Sequence, residues 1–481
     1  MNKTRPIRLP STRVTRVAGS GCSDIVREGT SVDHSLEVAD QALGLHTDLY
    51  ELRMAQTCLR HGMTAPATFS LHIRADERRP WFVAGGMPHV LDVLRRFSYG
   101  DAELDYLRGQ GFPGWFLDWL HELHPVGEVW SVAEGTVVLA EEPLIEVTAP
   151  LPLGMLWETA LLNVVQRSTV LATKAARCVI VADGRTLVDF GFRRAQGLET
   201  GIEAARAAYI GGIDATSNVE AGRRFGIPIS GTMAHSLIQA YEDEPAAFAA
   251  FADDHPDQAI MLVDTYDTIG GVQAAIEIGQ GLRARGSDLI GVRLDSGDLA
   301  EYATRSRALL DDAGFTATRI IASGGVDEFE IAELIAAGAP IDGFGVGTAL
   351  TVSTDRPALD IAYKLVCYDG APRAKYSEGK VLLPGAKQVY RDGAPDSDVL
   401  ATRDEPPLHG EPLLAPIWRD GDALHDFDLR EARDRAADQL DALPDHWRRL
   451  DRPLEPPRPR RSDVLEALAR GVRDRETAHR R

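Results

Sequence analysis

Arg319-Ile-Ile-Ala-Ser-Gly-Gly-Val-Asp327 and, shortly after it, Ile341-Asp-Gly-Phe-Gly-Val-Gly-Thr348 decide the reading of this chain. In each, an apolar run of strand length ends in closely spaced glycines, and helix-forming sequence follows. Bare backbone N–H groups in such a turn can close on a phosphate at the helix N-terminus, where the dipole favours negative charge. Glycine-rich turns of this kind are also common as plain connections, so either loop alone says little. Two on successive terminal strands match the phosphate site of many α/β barrels. Working upstream, Thr186–Phe190, Ile227–Ser230, Ala259–Val263 and Leu289–Leu294 read as further strands, alternating with helical segments around 199–209, 234–252, 270–282, 299–312 and 327–336. This alternation predicts parallel strands with crossover helices. Every strand ends in polar or glycine-rich chemistry, as an α/β barrel requires, whereas a doubly wound sheet gathers its chemistry at one switch point.

The rest of the chain sets limits. With 481 residues, two or three domains are expected, and 44% apolar with 26% charged residues is ordinary for a globular protein. A formal net charge of −20 argues against nucleic acid as the main partner, although a local basic pocket can still hold a small anion. The sequence contains no uninterrupted apolar stretch of membrane-spanning length. The four cysteines, Cys22, Cys58, Cys178 and Cys367, lie far apart, which suits a reducing cytoplasm and speaks against a structural zinc site. Residues 1–40 carry five basic residues before any acidic one but no secretory apolar core, and read as a disordered extension. Residues 41–150 are expected to form a smaller α+β domain with a β-rich return around 127–148, 151–384 the barrel, and 385–451 a return to the smaller domain. In the tail, 452–481, Ser462 reads as the N-cap of a helix with Val464, Leu465, Leu468 and Val472 on its docked side.

Candidate chemistry clusters at the strand ends. His235, in Ser230-Gly-Thr-Met-Ala-His235, follows a strand where a helix begins; a lone histidine is most often structural, but this one shares a face with the glycine loops. Asp264 and Asp267 end the next strand, and a carboxylate beside the imidazole would fix its tautomer and sharpen the free nitrogen as nucleophile or base. Arg293, Asp295 and Asp298 could be a surface ion pair or could orient a charged, hydroxylated ligand. Lysine occurs only at positions 3, 174, 364, 375, 380 and 387, with arginine elsewhere, so each lysine draws notice.

With these motifs in hand, the chain resembles nicotinate phosphoribosyltransferase, which joins nicotinate to phosphoribosyl pyrophosphate (PRPP). The resemblance rests on Thr47-Asp-Leu-Tyr-Glu51, Asp189-Phe-Gly-Phe-Arg-Arg-Ala-Gln196, Gly211-Gly-Ile-Asp-Ala-Thr-Ser-Asn218, Gly226–Ser236, Val263-Asp-Thr-Tyr-Asp267, Arg293–Asp298, Ser323–Gly325, Gly345–Thr348 and Gly385-Ala-Lys-Gln-Val-Tyr-Arg391, in order along residues 45–450. It implies an irregular, type II phosphoribosyltransferase-like barrel in a cytoplasmic homodimer with shared sites, using Mg²⁺ and ATP as co-substrate. It implies that His235 is phosphorylated by ATP, that Asp264 hydrogen-bonds His235, and that Asp295 contacts ribose. Tyr50 from the partner subunit and Phe190 would sandwich the pyridine ring; Arg193, Arg293 and Thr232 would surround the nicotinate and phosphoribosyl groups. The 5′-phosphate would lie against Ser323, Gly324, Gly325, Gly345, Gly347 and Thr348, with Lys364, Lys375 and Lys387 near the pyrophosphate. Ser217 falls where nicotinamide-using enzymes place an aspartate, so it would favour nicotinate, unless it merely caps the following helix. A nicotinamide- or quinolinate-using relative and a non-catalytic PRPP-binding sensor are the competing readings; a decayed copy should have lost some of these residues.

Overall fold

Short apolar runs make the strands, and an Asp or Asn side chain starts most of the helices that follow. In the computed structural model, which describes residues 42–377, 380–450 and 455–479, six strands form a parallel sheet. Its order is Ala215–Thr216, Thr186–Asp189, Gly343–Val346, Arg319–Ala322, Gly291–Leu294, Ile260–Leu262. Leu187, Val263, Val292, Leu294, Ile320, Ala322, Phe344 and Val346 bury their side chains with the helices Thr268–Ala284, Leu299–Asp312 and Glu328–Ala336 in one core. Asn218, Asp243, Asp267, Asp298 and Asp327 each precede a helix and accept first-turn N–H groups at 2.7–3.1 Å. Asp267, which the sequence offered as a carboxylate beside the imidazole, and Asp298, offered as orienting a ligand, are therefore engaged as caps.

The expected strand at 227–230 contracts to one parallel bridge, Thr216 to Ile229. Pro228 has no N–H to extend that ladder. Among the described residues nothing pairs this edge with Ile260–Leu262 at the other, so the barrel is open there.

The second large sheet is antiparallel. Its order is Ala371–Pro372, Ile361–Tyr368, Pro66–Ile73, Pro143–Pro150, Glu128–Val132, Leu414–Arg419, Asp422–Ala423. The chain thus rejoins the N-terminal strands at Ile361, ahead of the expected boundary at residue 385, because Ile361–Tyr368 pairs with Ala67–Ile73 of the strand Pro66–Ile73. Local pattern shows a strand but not its partner, so this boundary had no sequence signal. Lys387–Arg391 belongs to a separate sheet with Glu411–Pro412, Val399–Thr402 and Arg460–Arg461, while Leu414–Arg419 carries the later return. Ser462 caps the last helix, its Oγ accepting from Leu465 N at 3.1 Å. Leu465 and Val472 are buried there, but Val464 faces outward, 53% exposed. The extension expected at 1–40 lies outside the described residues.

The 25-residue helix Glu158–Ala182 runs between the two sheets, packing on Trp81–Val83 and Ile361–Tyr368 on one side and on the helices Leu198–Ile210 and Glu328–Ala336 on the other.

Candidate active site

The site grows from the carboxyl ends of the parallel strands. Asp189 closes its strand with a fully engaged carboxylate: Oδ1 accepts from Gly191 N at 2.8 Å and Oδ2 from Thr216 Oγ1 at 2.8 Å. Burial pushes its pKa up, and these two donors hold it down. Its backbone carbonyl accepts from Ser217 N at 2.8 Å, so Asp189 ties the Phe190 turn to the Ser217 turn. Sequence reading passed over Asp189; its signal was an acidic residue in a buried strand two positions before the motif glycine Gly191.

Phe190 is half-buried, anchored by its N–H on Val346 O at 2.8 Å. Arg293 stands 5.7 Å from the ring centroid and donates to Thr232 Oγ1 at 2.5 Å. Burial lowers the Arg293 pKa, with Asp295 and Asp264 opposing, yet a guanidinium remains charged at any physiological pH. Its Nε is buried without a hydrogen-bond partner. One flat aromatic face, one cation and one hydroxyl are thus brought together, which suits a planar ring bearing a carboxylate. Arg193 is exposed at the rim and donates to Phe190 O at 3.4 Å.

His235 opens the short helix His235–Ala240. Its Nδ1 lies 3.1 Å from Thr265 Oγ1, and its Nε2 faces Asp295 Oδ2 across 3.8 Å. The expected Asp264–His235 hydrogen bond is absent among the described contacts. Asp264 Oδ2 instead accepts from Asp295 N at 3.1 Å and Ser296 Oγ at 2.6 Å, leaving Oδ1 buried and unpartnered. The carboxylate one residue before Thr265 turns toward the neighbouring strand end, and the threonine takes the imidazole. Asp295 also accepts from Ser323 Oγ. Glu244, another residue the sequence reading missed, sits nearby; burial and the charges of Asp264 and Asp267 push it up to about 7.

The glycine loops divide their work differently from expectation. Gly324, at φ +88°, lies so close to the neighbouring loop that a Cβ would stand 1.7 Å from Asp295 O. Gly325, at φ +89°, faces open space. Their N–H groups donate to no protein acceptor among the described residues. The following helix cannot offer its N-terminus to a phosphate, since Asp327 already fills it. An anion here would rest on loop amides. Gly345 is not part of that cradle: a Cβ there would meet the Phe190 ring at 2.3 Å, so its absence makes room for the aromatic clamp. Gly347 and Thr348 start a one-turn helix with no side-chain cap.

The three lysines part company. Lys364, 37% exposed, reaches Glu158 Oε1 at 3.4 Å. Lys375 is exposed. Lys387 is buried, pairing with Glu146 Oε1 at 3.1 Å and donating to Gly385 O at 2.8 Å. That corrects its expected pyrophosphate role: its ammonium is already consumed. Tyr50 is 46% exposed on the helix Leu49–Arg60, and among the described residues no ring contact joins it to Phe190. Partial burial and the charges of Glu158 and Glu51 push its phenol pKa up, so it stays a neutral donor. Ser217 is half-buried and does not cap the next helix; Asn218 does, accepting from Ala221 N at 3.1 Å.

An open parallel α/β barrel with paired glycine loops, an aromatic–arginine pocket and a histidine at one sheet end defines the class of barrel phosphoribosyltransferases. Two family models match consecutively, the nicotinate phosphoribosyltransferase N-terminal domain over residues 45–166 and the nicotinate phosphoribosyltransferase family over 185–379. The chain belongs to the nicotinate phosphoribosyltransferase family. It is 47% identical over 414 residues to nicotinate phosphoribosyltransferase pncB2 of Mycobacterium tuberculosis, covering 85% of this chain and 89% of that one. It is 44% identical over 365 residues to the Bacillus subtilis nicotinate phosphoribosyltransferase, covering 73% and 74%. The crystal structure of human nicotinic acid phosphoribosyltransferase superposes with a TM-score of 0.77 at 27% identity, over 89% of this chain and 99% of that one.

Proposed function

We propose that this chain transfers the phosphoribosyl group of PRPP to the ring nitrogen of nicotinate, releasing pyrophosphate and giving nicotinate mononucleotide for NAD biosynthesis. The observation that carries the reading is Arg293, held by Thr232 beside the Phe190 face at the same sheet end as the glycine loops. The C1–O bond of PRPP breaks as pyrophosphate leaves with the bonding electrons, and the ring nitrogen's lone pair forms the new C1–N bond. The protein's task is to align the two partners and to hold their anionic ends. Phe190 and Arg293 would orient nicotinate, the amides of Gly324, Gly325, Gly347 and Thr348 would take the 5′-phosphate, and Asp295 would take ribose hydroxyls. Mg²⁺ bound to the pyrophosphate would neutralise the leaving charge, held mainly by substrate oxygens. The unpartnered Asp264 Oδ1 and the Asp295 Oδ2 that faces His235 are carboxylate oxygens of the kind such a hard cation takes.

His235 supports coupling of this transfer to ATP. With Nδ1 engaged by Thr265, Nε2 is the nitrogen able to attack the γ-phosphorus, displacing ADP and forming an N–P bond that water later cleaves. The exposed Tyr50 supports a homodimer in which each subunit completes its partner's ring clamp. No helix of the described residues is long and apolar enough to cross a membrane; cytoplasmic placement is part of this reading.

The test is purified protein with nicotinate, PRPP, Mg²⁺ and ATP, followed for mononucleotide, with nicotinamide and quinolinate in parallel. Mononucleotide from either alternative base in preference to nicotinate overturns the substrate assignment. Incubation with γ-labelled ATP should give an acid-labile label lost in His235→Ala; equal labelling of the variant overturns the coupling.

A further inference from the structure

Lys174 is a lysine to which the chemistry above gives no work. It is fully buried on the helix Glu158–Ala182. Its ammonium meets two carboxylates, Glu328 and, at 2.7 Å, Asp355 Oδ1. Glu328, also fully buried, is the first residue of the helix that leaves the Ser323–Gly325 loop, and Arg177 Nε donates to it at 3.0 Å. Asp355 lies just beyond the turn Thr348–Thr351 that leaves the Gly347 loop. There Arg79, 1% exposed, donates to both its oxygens at 3.0 and 3.1 Å and to Ser353 Oγ at 2.7 Å. Ser353 is itself fully buried at φ +46°, a strained conformation for a serine. One ammonium thus bridges the two segments that emerge from the two glycine loops.

Such a cluster is a poor way to gain stability, because stripping water from five charges offsets most of their attraction. Its value lies in geometry. Three cations facing two carboxylates also leave a positive excess behind an anion site. A compact ammonium can serve two carboxylates in a closed space where a planar guanidinium needs a wider slot. That explains a lysine here in a chain that mostly uses arginine.

We propose that Lys174 is a positioning residue for the phosphoribosyl site, its ammonium locking the two glycine loops at the separation a 5′-phosphate requires without touching substrate. This rests on the reading that those loops hold the phosphate. The experiment compares Lys174→Met, Lys174→Arg and Asp355→Asn with Gly325→Asp, which places a carboxylate in the cradle itself. KM is measured for PRPP and for nicotinate, together with kcat, ribose 5-phosphate binding and Tm. In Lys174→Met, the KM for PRPP and the Kd for ribose 5-phosphate should rise about tenfold or more, while the KM for nicotinate moves less than about twofold. Lys174→Arg should not restore them. Should Lys174→Met fail to fold, Asp355→Asn decides, with a rise of about threefold or more confined to the same two constants. If Gly325→Asp weakens PRPP but the lysine and aspartate variants leave it unchanged, the positioning role is wrong and the loop reading survives. If Gly325→Asp leaves PRPP binding unchanged, both fall. Parallel loss of both substrates together with Tm would make the cluster merely structural and overturn the proposal.

Discussion

Gly324 and Gly325 stand side by side at almost the same backbone angle, φ +88° and +89°, but in different surroundings. An L-residue in that conformation costs about 1–2 kcal/mol, of which the lower entropy of an unfolded alanine offsets ~0.4–1 kcal/mol. Gly325→Ala should therefore destabilise by no more than about 1–1.5 kcal/mol, its methyl entering open space. At Gly324 the new Cβ would stand 1.7 Å from the Asp295 carbonyl oxygen, where ordinary contact begins at 3.4 Å, so the two loops must part by about 1.7 Å. Overpacking of this kind adds ~1–3 kcal/mol, for a total of about 2–4 kcal/mol. The displaced residue is the one whose carboxylate accepts from Ser323 and faces His235 across 3.8 Å. Since a shift of about 1 Å in a positioned group can cost ~100-fold, kcat at saturating PRPP should fall about 10- to 100-fold in Gly324→Ala and much less in Gly325→Ala, whose methyl enters the phosphate cradle and acts on the KM for PRPP instead. Thermal unfolding and initial-rate kinetics on the two variants, purified together, make the comparison. Equal losses at the two positions would refute the argument that close approach to Asp295, rather than left-handed geometry, demands the glycine.

Three further outcomes are expected. Ser217→Asp should lose most of the preference for nicotinate over nicotinamide, because like charges about 4 Å apart cost on the order of 4 kcal/mol at an effective dielectric of 20; an unchanged ratio of kcat/KM for the two bases would move discrimination to Arg193, Thr232 or Arg293. Glu244, pushed up to about 7 from an unfolded value of about 4.3, contributes stability that is fully present below about pH 4 and lost as pH rises through 7. Glu244→Gln should therefore gain Tm relative to the parent between about pH 5 and pH 8, and a gap constant across that range would disprove the assignment. Tyr50→Ala and Phe190→Ala, each nearly inactive, should regain activity when mixed under subunit exchange; a fully active monomer in sedimentation would exclude the shared clamp.

Much of this molecule was legible in the order of its residues. The helix Leu299–Asp312 and the strand Arg319–Ala322 fall where periodicity placed them, because a short apolar run between punctuating glycines and a capped, amphipathic stretch are local events. The gathering of Phe190, Thr232, His235, Arg293 and the glycine loops at one sheet end also followed from alternation alone, since parallel strands joined by crossover helices put all their carboxyl ends on one face. What required tertiary structure was the allotment of partners. Asp264 and Thr265 are neighbours in sequence, yet only the strand beside them decides that the carboxylate turns to Asp295 and Ser296 while the hydroxyl meets His235. Lys364 and Lys387 read alike as basic residues near strands, and burial against Glu146 is what removes Lys387 from the site. Asp267, Asp298 and Asp327 carry the same charge as Asp295 but face the helix that follows them. Lys174 lies more than 150 residues from Glu328 and further still from Asp355. Long-range pairing of that kind leaves no periodic trace, because it depends on which surfaces meet once the two sheets have closed around the long helix.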